Sequence, residues 1–215
     1  MQVIERQELT AGYDQTVKNL LERRRSPYAF SPRAVEPEKL RAVFEAARSA
    51  PSSYNEQPWR FVVARRDDPE AFERLLSVLV EGNRAWAKNT PVLMISVAKS
   101  DFSNGSPNRH AFHDVGQAAA YLTVQATALG LAVHQMGGFD AGRARELLHI
   151  PAEYEPVAAI ALGYPGDPED LPEPLRSREN GPRRRKPVEE LVFTGSWDRP
   201  FPQADSHTTR ASNRN

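Results

Sequence analysis

The most informative stretch of this chain is Pro51-Ser52-Ser53-Tyr54-Asn55-Glu56-Gln57-Pro58-Trp59. It follows an amphipathic segment over residues 38–49 and precedes a strand-like run over residues 60–64. Prolines bound a loop of small hydroxyl and amide side chains, which offer neutral hydrogen-bond donors and acceptors but no nucleophile beside a base. The loop therefore predicts a site that holds a flat polar molecule and does not attack it.

Length and composition indicate one sizeable domain around this loop. The chain has 215 residues, and 28 Lys plus Arg balance 28 Asp plus Glu, so net charge points to no nucleic-acid partner. No cysteine is present, which excludes disulfides, thiolate metal ligands and thiol catalysis. The longest apolar runs are too short to cross a bilayer, and the N-terminus lacks a signal-peptide pattern. We therefore expect a cytoplasmic protein without a membrane partner.

Hydrophobic periodicity predicts helices and strands without strict alternation. Helices are expected over residues 14–24, 38–49, from Asp68-Pro69 onward, 83–88, 114–129 and 140–148. Strands are expected over residues 60–64, 92–98, 132–135 and 157–163, with a last edge strand over 188–193. Residues 164–186 are rich in proline and charge, which predicts an extended arm. Together these elements predict a twisted sheet with helices on both faces.

The helix expected over residues 114–129 is apolar on nearly its whole circumference. Asp114 is a good N-cap and Gly130 a stop signal. One face carries Val115, Ala118, Ala119, Leu122, Ala126 and Leu129, and the opposite face carries Ala120, Tyr121, Val124 and Ala128. In a domain of this size, such a helix indicates that a second chain covers one face. The alternative is a central helix in a monomer.

Three further patches suit a polar or anionic ligand. They are the basic helix end at residues 23–26, the pair Gly137-Gly138 after a strand, and the basic run at residues 183–187. Taken singly, each is also explained as a helix end, a turn or a solvated charge run. His110 and His113 have helical metal-ligand spacing, but no motif supplies a third ligand, so we predict no metal. No Rossmann, Walker or nucleophile-elbow motif is present.

In chain order, these motifs resemble the FMN-dependent nitroreductase family over residues 13–193. The match is carried by Arg24-Arg25-Ser26, residues 51–61, Asn83 with Trp86, Thr90-Pro91-Val92-Leu93, residues 128–131, Met136-Gly137-Gly138-Phe139-Asp140, residues 162–165 and residues 183–187. The resemblance implies an α+β fold: a three-layer α-β-α sandwich with a central mixed, mostly antiparallel sheet, in an intertwined homodimer. It implies an FMN-binding domain over residues 10–195 and a partly disordered C-terminal extension over residues 196–215.

The resemblance also implies which residues bind FMN. The pyrimidine edge and ribityl chain would meet Arg24, Arg25 and Ser26, and the phosphate would meet Arg183 and Arg185. The partner subunit would contribute Pro51, Ser52, Ser53 and Asn55. The isoalloxazine ring near N5 would lie along Gln135, Met136, Gly137 and Gly138, with a further bond from Asn83. The chain departs from the family at Tyr28, where a cation is usual; that cation is missing or supplied elsewhere, for example by Arg184 or Lys186.

The implied chemistry belongs to the cofactor, so no side chain is nominated as catalytic. NAD(P)H would pass a hydride to flavin N5 and leave, and a nitroaromatic, quinone or other electron-poor acceptor would take its place. Residues 99–113, with Phe102 and Phe112, occupy the family's variable substrate loop, where these rings would stack on an acceptor or simply pack as a lid. The alternatives are another flavin chemistry on this fold (dehalogenation, flavin fragmentation, azoline oxidation), a non-catalytic flavin-binding or storage protein, and a basic-arm interaction protein.

Overall fold

The computed structural model describes residues 8–202, with side chains from residue 16 onward. Its helices are α1 (Glu8–Arg23), α2 (Pro37–Arg48), α3 (Pro69–Leu76), α4 (Glu81–Ala87), α5 (Ala111–Ala128), α6 (Ala141–Leu147) and α7 (Leu175–Glu179). Its strands are β1 (Trp59–Arg65), β2 (Val92–Lys99), β3 (Ala132–Met136) and β4 (Tyr154–Gly163). The described chain forms two compact units, which divide between Asn180 and Gly181. Most of the predicted C-terminal extension lies outside the described residues.

The strands of the first unit form one sheet in the order β1-β2-β4-β3. All three described pairings are antiparallel, so the sheet is antiparallel throughout the described residues. Residues 92–98 of β2 are all buried, because helices cover both faces of the sheet at this central strand.

Alternation along β2 divides the core into two layers. Leu93 and Ile95 pack with residues of α3, α4 and α6 on one face. Val92 and Met94 pack with residues of α2 and α5 on the other. Each fully buried apolar side chain of this size stabilises the fold by about 1.5–3 kcal/mol relative to exposure. The three-layer α-β-α architecture is confirmed.

Local helix signals were reliable where the capping side chain had no other partner. Asp68 accepts the N–H of Ala71 at the start of α3, and Asp140 accepts the N–H of Arg143 at the start of α6. Asp114, in contrast, lies inside α5, which begins at Ala111, so the prediction that it caps this helix was wrong. Its carboxylate instead accepts the backbone N–H of Ser53, a bond that no local pattern indicates.

The last edge strand, expected over residues 188–193, is not formed. Pro187 starts a 3-10 helix, Val188–Glu190, in which the N–H of Glu190 donates to Pro187 O and turns the chain. The chain then makes a short hairpin, with the N–H of Thr194 donating to Arg199 O. The preceding arm is more ordered than its composition indicated, because it contains α7 and a 3-10 helix at Pro168–Asp170.

Candidate functional site

The loop between α2 and β1 is held in a strained conformation. Tyr54, Asn55 and Gln57 have positive φ angles of 51°, 58° and 49°, in the left-handed region that favours glycine. Each costs on the order of 1–3 kcal/mol and persists only where surrounding contacts enforce it. The N–H of Ser53 donates to buried Asp114 at 3.0 Å, and the N–H of Gln57 donates to Ser52 Oγ at 2.9 Å. The loop is therefore built as a fixed platform.

The same bonds limit what the loop offers a ligand. The Ser53 N–H and one lone pair of Ser52 Oγ are occupied internally, and the Asn55 side-chain oxygen accepts from Gln57 Nε2 at 3.2 Å. The hydroxyl hydrogens of the two serines and the amide nitrogen of Asn55 remain as donors. Pro51 is exposed, while Ser52 and Ser53 are half-buried.

Two of the predicted site residues, Asn83 and Gly138, are in direct contact. Asn83 Nδ2 donates to Gly138 O at 2.9 Å, and the N–H of Val80 donates to the same oxygen at 3.1 Å. A Cβ on Gly138 would lie 2.6 Å from Asn83 Nδ2, so only glycine allows this approach. Gly137 differs, because it is exposed and a Cβ there would meet nothing within 4 Å. The side-chain direction of Gly137 is therefore open, while its carbonyl oxygen accepts the N–H of Phe139 at 3.1 Å.

Two further predicted residues lie beside this glycine pair on β3. Gln135 is exposed, and its Nε2 donates to Thr123 Oγ1 of α5 at 3.3 Å. Met136 is buried in the core, so only its main chain is available to a ligand.

The basic segment after α1 is placed at the C-terminal end of α5. Arg23 Nη2 donates to Thr127 O at 3.2 Å, and Arg24 Nη1 donates to Ser26 Oγ at 3.0 Å. Arg25 lines a cavity of about 590 Å³ together with Arg23 and residues 127–132. Among the described side chains, Arg25 has no ion-pair partner, which leaves its guanidinium free for an anion or a carbonyl.

Tyr28, the position where the family usually has a cation, is part of an aromatic cluster. Its ring lies 5.5 Å from the Trp86 ring, edge to face, and 5.0 Å from the His134 ring. Its N–H donates to Glu179 Oε2 at 2.6 Å. Burial lowers the pKa of His134, an effect that a backbone bond to Pro27 and the charge of Glu179 oppose. The Trp86 Nε1–H is buried and has no hydrogen-bond partner among the described residues.

The predicted residues of the first unit fall into two groups in one chain. Arg24–Ser26, Asn83 and residues 135–138 are linked through the cluster of Tyr28, Trp86 and His134. Residues 51–55 form the other group. Arg23, directly before the first group, is bonded to Thr127 of α5, and Gln135 of that group is bonded to Thr123. Ser53 of the second group is bonded to Asp114. The outermost of these anchors are Thr127 and Asp114. Thirteen residues at a rise of 1.5 Å per residue place these anchors about 20 Å apart along the helix.

The two predicted phosphate ligands belong to the second unit. Arg183 and Arg185 are both exposed there, and Arg185 Nη1 donates to Arg184 O at 2.7 Å. Lys186 Nζ lies 3.8 Å from Glu190 Oε2, so its charge is partly compensated. The role of the arginines in phosphate binding stays a prediction.

A second link joins the strained loop to residues 99–113. Glu56 accepts both the N–H and the hydroxyl of Ser103, and these bonds lower the pKa of its carboxyl. The ring of Tyr54, 89% exposed, meets Phe102 edge to face at 5.8 Å. These partners were not foreseen, since each bond joins residues about fifty positions apart and no local spacing signals it.

His134 was also missed, although its sequence position carries a signal. Alternation along β3 puts it on the same face as buried Met136, and a histidine on the apolar face of a strand needs a polar partner.

In residues 8–202, no three His, Asp or Glu groups come together in a way that could hold a metal ion. None of the described helices is long and apolar enough to cross a membrane.

The donor set of the first group fits FMN, which needs cations and N–H donors around a flat ring and open space in front of it. The guanidiniums of Arg24 and Arg25, the Ser26 hydroxyl and the open space beside Gly137 supply these features. Gly137 directly follows β3, an edge strand of the antiparallel α-β-α sandwich, and the role of these residues in binding FMN stays a prediction.

Comparison with known proteins gives the family. The model of the Nitroreductase family matches residues 21–85 and 68–164. The NADH dehydrogenase of Thermus thermophilus is 30% identical over 186 residues, covering 72% of this chain and 83% of that protein. The chain belongs to the nitroreductase family.

Solved structures agree with this assignment. A crystal structure described as an oxidoreductase containing FMN is 36% identical, with a TM-score of 0.79, covering 84% of this chain and 92% of that one. A putative nitroreductase from Desulfovibrio desulfuricans, in complex with FMN, is 28% identical, with a TM-score of 0.66, covering 86% of this chain and 98% of that one.

Proposed function

We propose that this protein is an FMN-dependent oxidoreductase that takes hydride from NAD(P)H and passes it to nitroaromatic, quinone or other electron-poor acceptors by a ping-pong mechanism. The observation that carries the proposal is the convergence of residues 24–28, 83–86 and 134–138 around one aromatic cluster. These are the segments in which flavin ligands were predicted. The FMN found in similar solved structures supports the same cofactor.

Bound FMN supplies the hydride chemistry at its N5 atom. The protein's residues would bind the cofactor and orient its ring. The guanidiniums of Arg24 and Arg25 would pair with carbonyl or ribityl oxygens, and the Ser26 hydroxyl would add a donor. Gly137 would present its main chain to the ring edge, because no side chain stands in front of it. Asn83, predicted to bond the flavin, would also fix the position of the Gly138 carbonyl through its 2.9 Å bond.

We further propose a homodimer in which each site takes residues 51–55 from the partner subunit. Two observations support it: the Arg23 bond to Thr127 and the Ser53 bond to Asp114 are about 20 Å apart along α5, and large apolar side chains of α5 and α1 are exposed. Phe112 is 52% exposed and Tyr121 46% exposed, and Val17 of α1 is 51% exposed. Exposed apolar side chains of this size are typical of an interface when a partner covers them.

Phosphate binding by Arg183 and Arg185 also belongs to this proposal, as do the FMN-binding domain over residues 10–195 and the cytoplasmic location. The relatives named as NADH dehydrogenases or NAD(P)H nitroreductases support a nicotinamide as the electron donor.

The test is an absorbance spectrum of the purified protein, then an anaerobic titration with NADH and NADPH. We expect a yellow protein whose flavin absorbance is bleached by at least one nicotinamide and recovers on adding a quinone. A colourless protein that does not retain added FMN would refute the proposal. Light scattering on the same sample should give twice the mass of 24.1 kDa, and a monomer that binds FMN fully would refute the shared site.

A non-catalytic flavin-binding protein is the second candidate. The observation that favours it is Tyr28, whose ring is packed against Trp86 and His134 and brings no positive charge to the site. The resemblance puts this cation near the flavin phosphate or ribityl chain, so its absence would weaken FMN binding or alter the geometry of the bound flavin, and a misaligned ring accepts hydride slowly. This candidate predicts bound FMN that neither nicotinamide bleaches. If the absorbance of the reduced flavin recovers on adding a haloaromatic and not on adding a quinone, the protein carries out another flavin chemistry on this fold.

A further inference from the structure

His134 links two segments that are far apart in the chain. It lies on β3 directly before Gln135, and its Nδ1 is 2.8 Å from the carbonyl oxygen of Pro27, 107 residues away. Pro27 is buried and directly follows Ser26. The position of the Arg24–Ser26 segment relative to residues 135–138 therefore depends on this bond.

The acceptor determines the tautomer of the imidazole. A carbonyl oxygen can only accept, so Nδ1 must carry the hydrogen in this bond. Burial disfavours the charged ring, which leaves Nε2 without a proton in the neutral side chain. Removing the imidazole would leave the Pro27 carbonyl without its donor in a buried position, which costs more than the bond itself contributes.

The ring of His134 also reaches a third segment. It packs against Trp86 with centroids 4.7 Å apart and against Tyr28 at 5.0 Å. Trp86 is one turn of α4 after Asn83, and Asn83 Nδ2 donates to Gly138 O. The His134 side chain thus contacts segment 24–28 and segment 83–86, and it directly precedes residues 135–138. Of the segments of the first unit that carry a predicted flavin ligand, the 51–55 loop is the exception.

We propose that His134 is a positioning residue for the flavin site, which sets the spacing between Arg24–Ser26 and Gln135–Gly138 through its Nδ1–H bond to Pro27 O and its contacts with Tyr28 and Trp86. The proposal rests on the proposed function, since it concerns the same cofactor. It adds a residue that touches no ligand itself but on which the alignment of the ligand-binding groups depends.

Three substitutions separate the hydrogen bond from simple packing. His134→Asn places an amide nitrogen near the Nδ1 position and keeps the donor, whereas His134→Gln places it near the Nε2 position, and His134→Leu removes it. We expect the dissociation constant for FMN, measured by quenching of flavin fluorescence, to rise by about 5- to 100-fold for the Leu and Gln variants, because FMN binding would then have to order the Arg24–Ser26 segment that the bond holds in place in the wild type. The Asn variant should stay within about threefold of the wild type. His149→Asn, at an exposed histidine outside the predicted site segments whose positive φ of 52° suits asparagine, is the control and should leave FMN affinity unchanged.

A second readout needs no cofactor. Long-range proton–nitrogen NMR on the apoprotein should show His134 as the Nδ1–H tautomer. The thermal midpoint of the Gln variant should lie below that of the Asn variant, because only the Asn variant keeps a donor for the Pro27 carbonyl. A merely structural histidine predicts equal loss of FMN affinity in both variants, and this result would overturn the proposal. An Nε2–H tautomer, or wild-type affinity in His134→Leu, would do the same. If the wild type binds no FMN, the proposed function fails, whereas the tautomer still tests the His134 bond.

Discussion

Replacing Gly138 by alanine tests the contact at the centre of the proposed site. The new Cβ would lie 2.6 Å from Asn83 Nδ2 and 2.9 Å from Val80 Cγ2, and Asn83 is itself bonded to Gly138 O. Overpacking of this kind costs about 1–3 kcal/mol. If Asn83 moves away to relieve it, a bond of about 0.5–1.5 kcal/mol is lost. We therefore expect Gly138→Ala to lower the free energy of unfolding by about 1–3 kcal/mol.

Urea unfolding of the apoprotein, followed by circular dichroism, measures this change. Gly137→Ala is the matched control, because its Cβ meets nothing within 4 Å, and its stability should stay within about 0.5 kcal/mol of the wild type. In an Asn83→Ala background, the cost of Gly138→Ala should fall by about 1 kcal/mol, since one of the two clashing groups is gone. Equal stability of the two glycine variants would refute the close approach that the structure shows.

Three further predictions concern the loop, the basic arm and the acid range. Asp114→Ala should lower the unfolding free energy by about 1–3 kcal/mol, because the Ser53 N–H loses its acceptor. Limited proteolysis of this variant should then cut within the 51–57 loop. A loop that stays uncut would contradict this prediction. Arg183→Glu should weaken FMN binding by about 10- to 100-fold in a fluorescence titration, because a charge-assisted bond to the phosphate is lost. Arg199→Glu, in the same unit, is the control and should leave FMN binding unchanged. Equal effects of the two substitutions would indicate a general charge effect and would contradict the predicted phosphate contact. The Glu36 carboxyl has its pKa lowered from 4.5 to about 2, chiefly by a tyrosine hydroxyl, so its contribution to stability is present above pH 4.5 and is lost as the pH falls toward 2. The urea midpoint should therefore fall less between pH 7 and pH 3 in Glu36→Gln than in the wild type, and equal falls would contradict the assignment.

Predictions from sequence succeeded where the signal and its effect are neighbours in the chain. Asp68 and Asp140 cap the helices that follow them, and Gly130, at φ 76°, ends α5. The failures share another cause. Asp114 has the chemistry of a cap, but its carboxylate is bonded to Ser53, 61 residues away. Residues 188–193 have strand-like composition, but Pro187 and the bonds that follow it start a 3-10 helix.

The sequence by itself determined most of the helices and strands up to residue 163, the layer order that their periodicity implies and the set of motifs that identifies the family. Only the tertiary structure decided that His134, Trp86 and Tyr28 join three of the predicted ligand segments, and that residues 51–55 lie apart from them at the other end of α5. The physical reason is the distance along the chain over which each interaction acts. Capping and periodicity act within a few residues, whereas the bond from His134 to Pro27 crosses 107 residues and exists only once the sheet and α5 are packed.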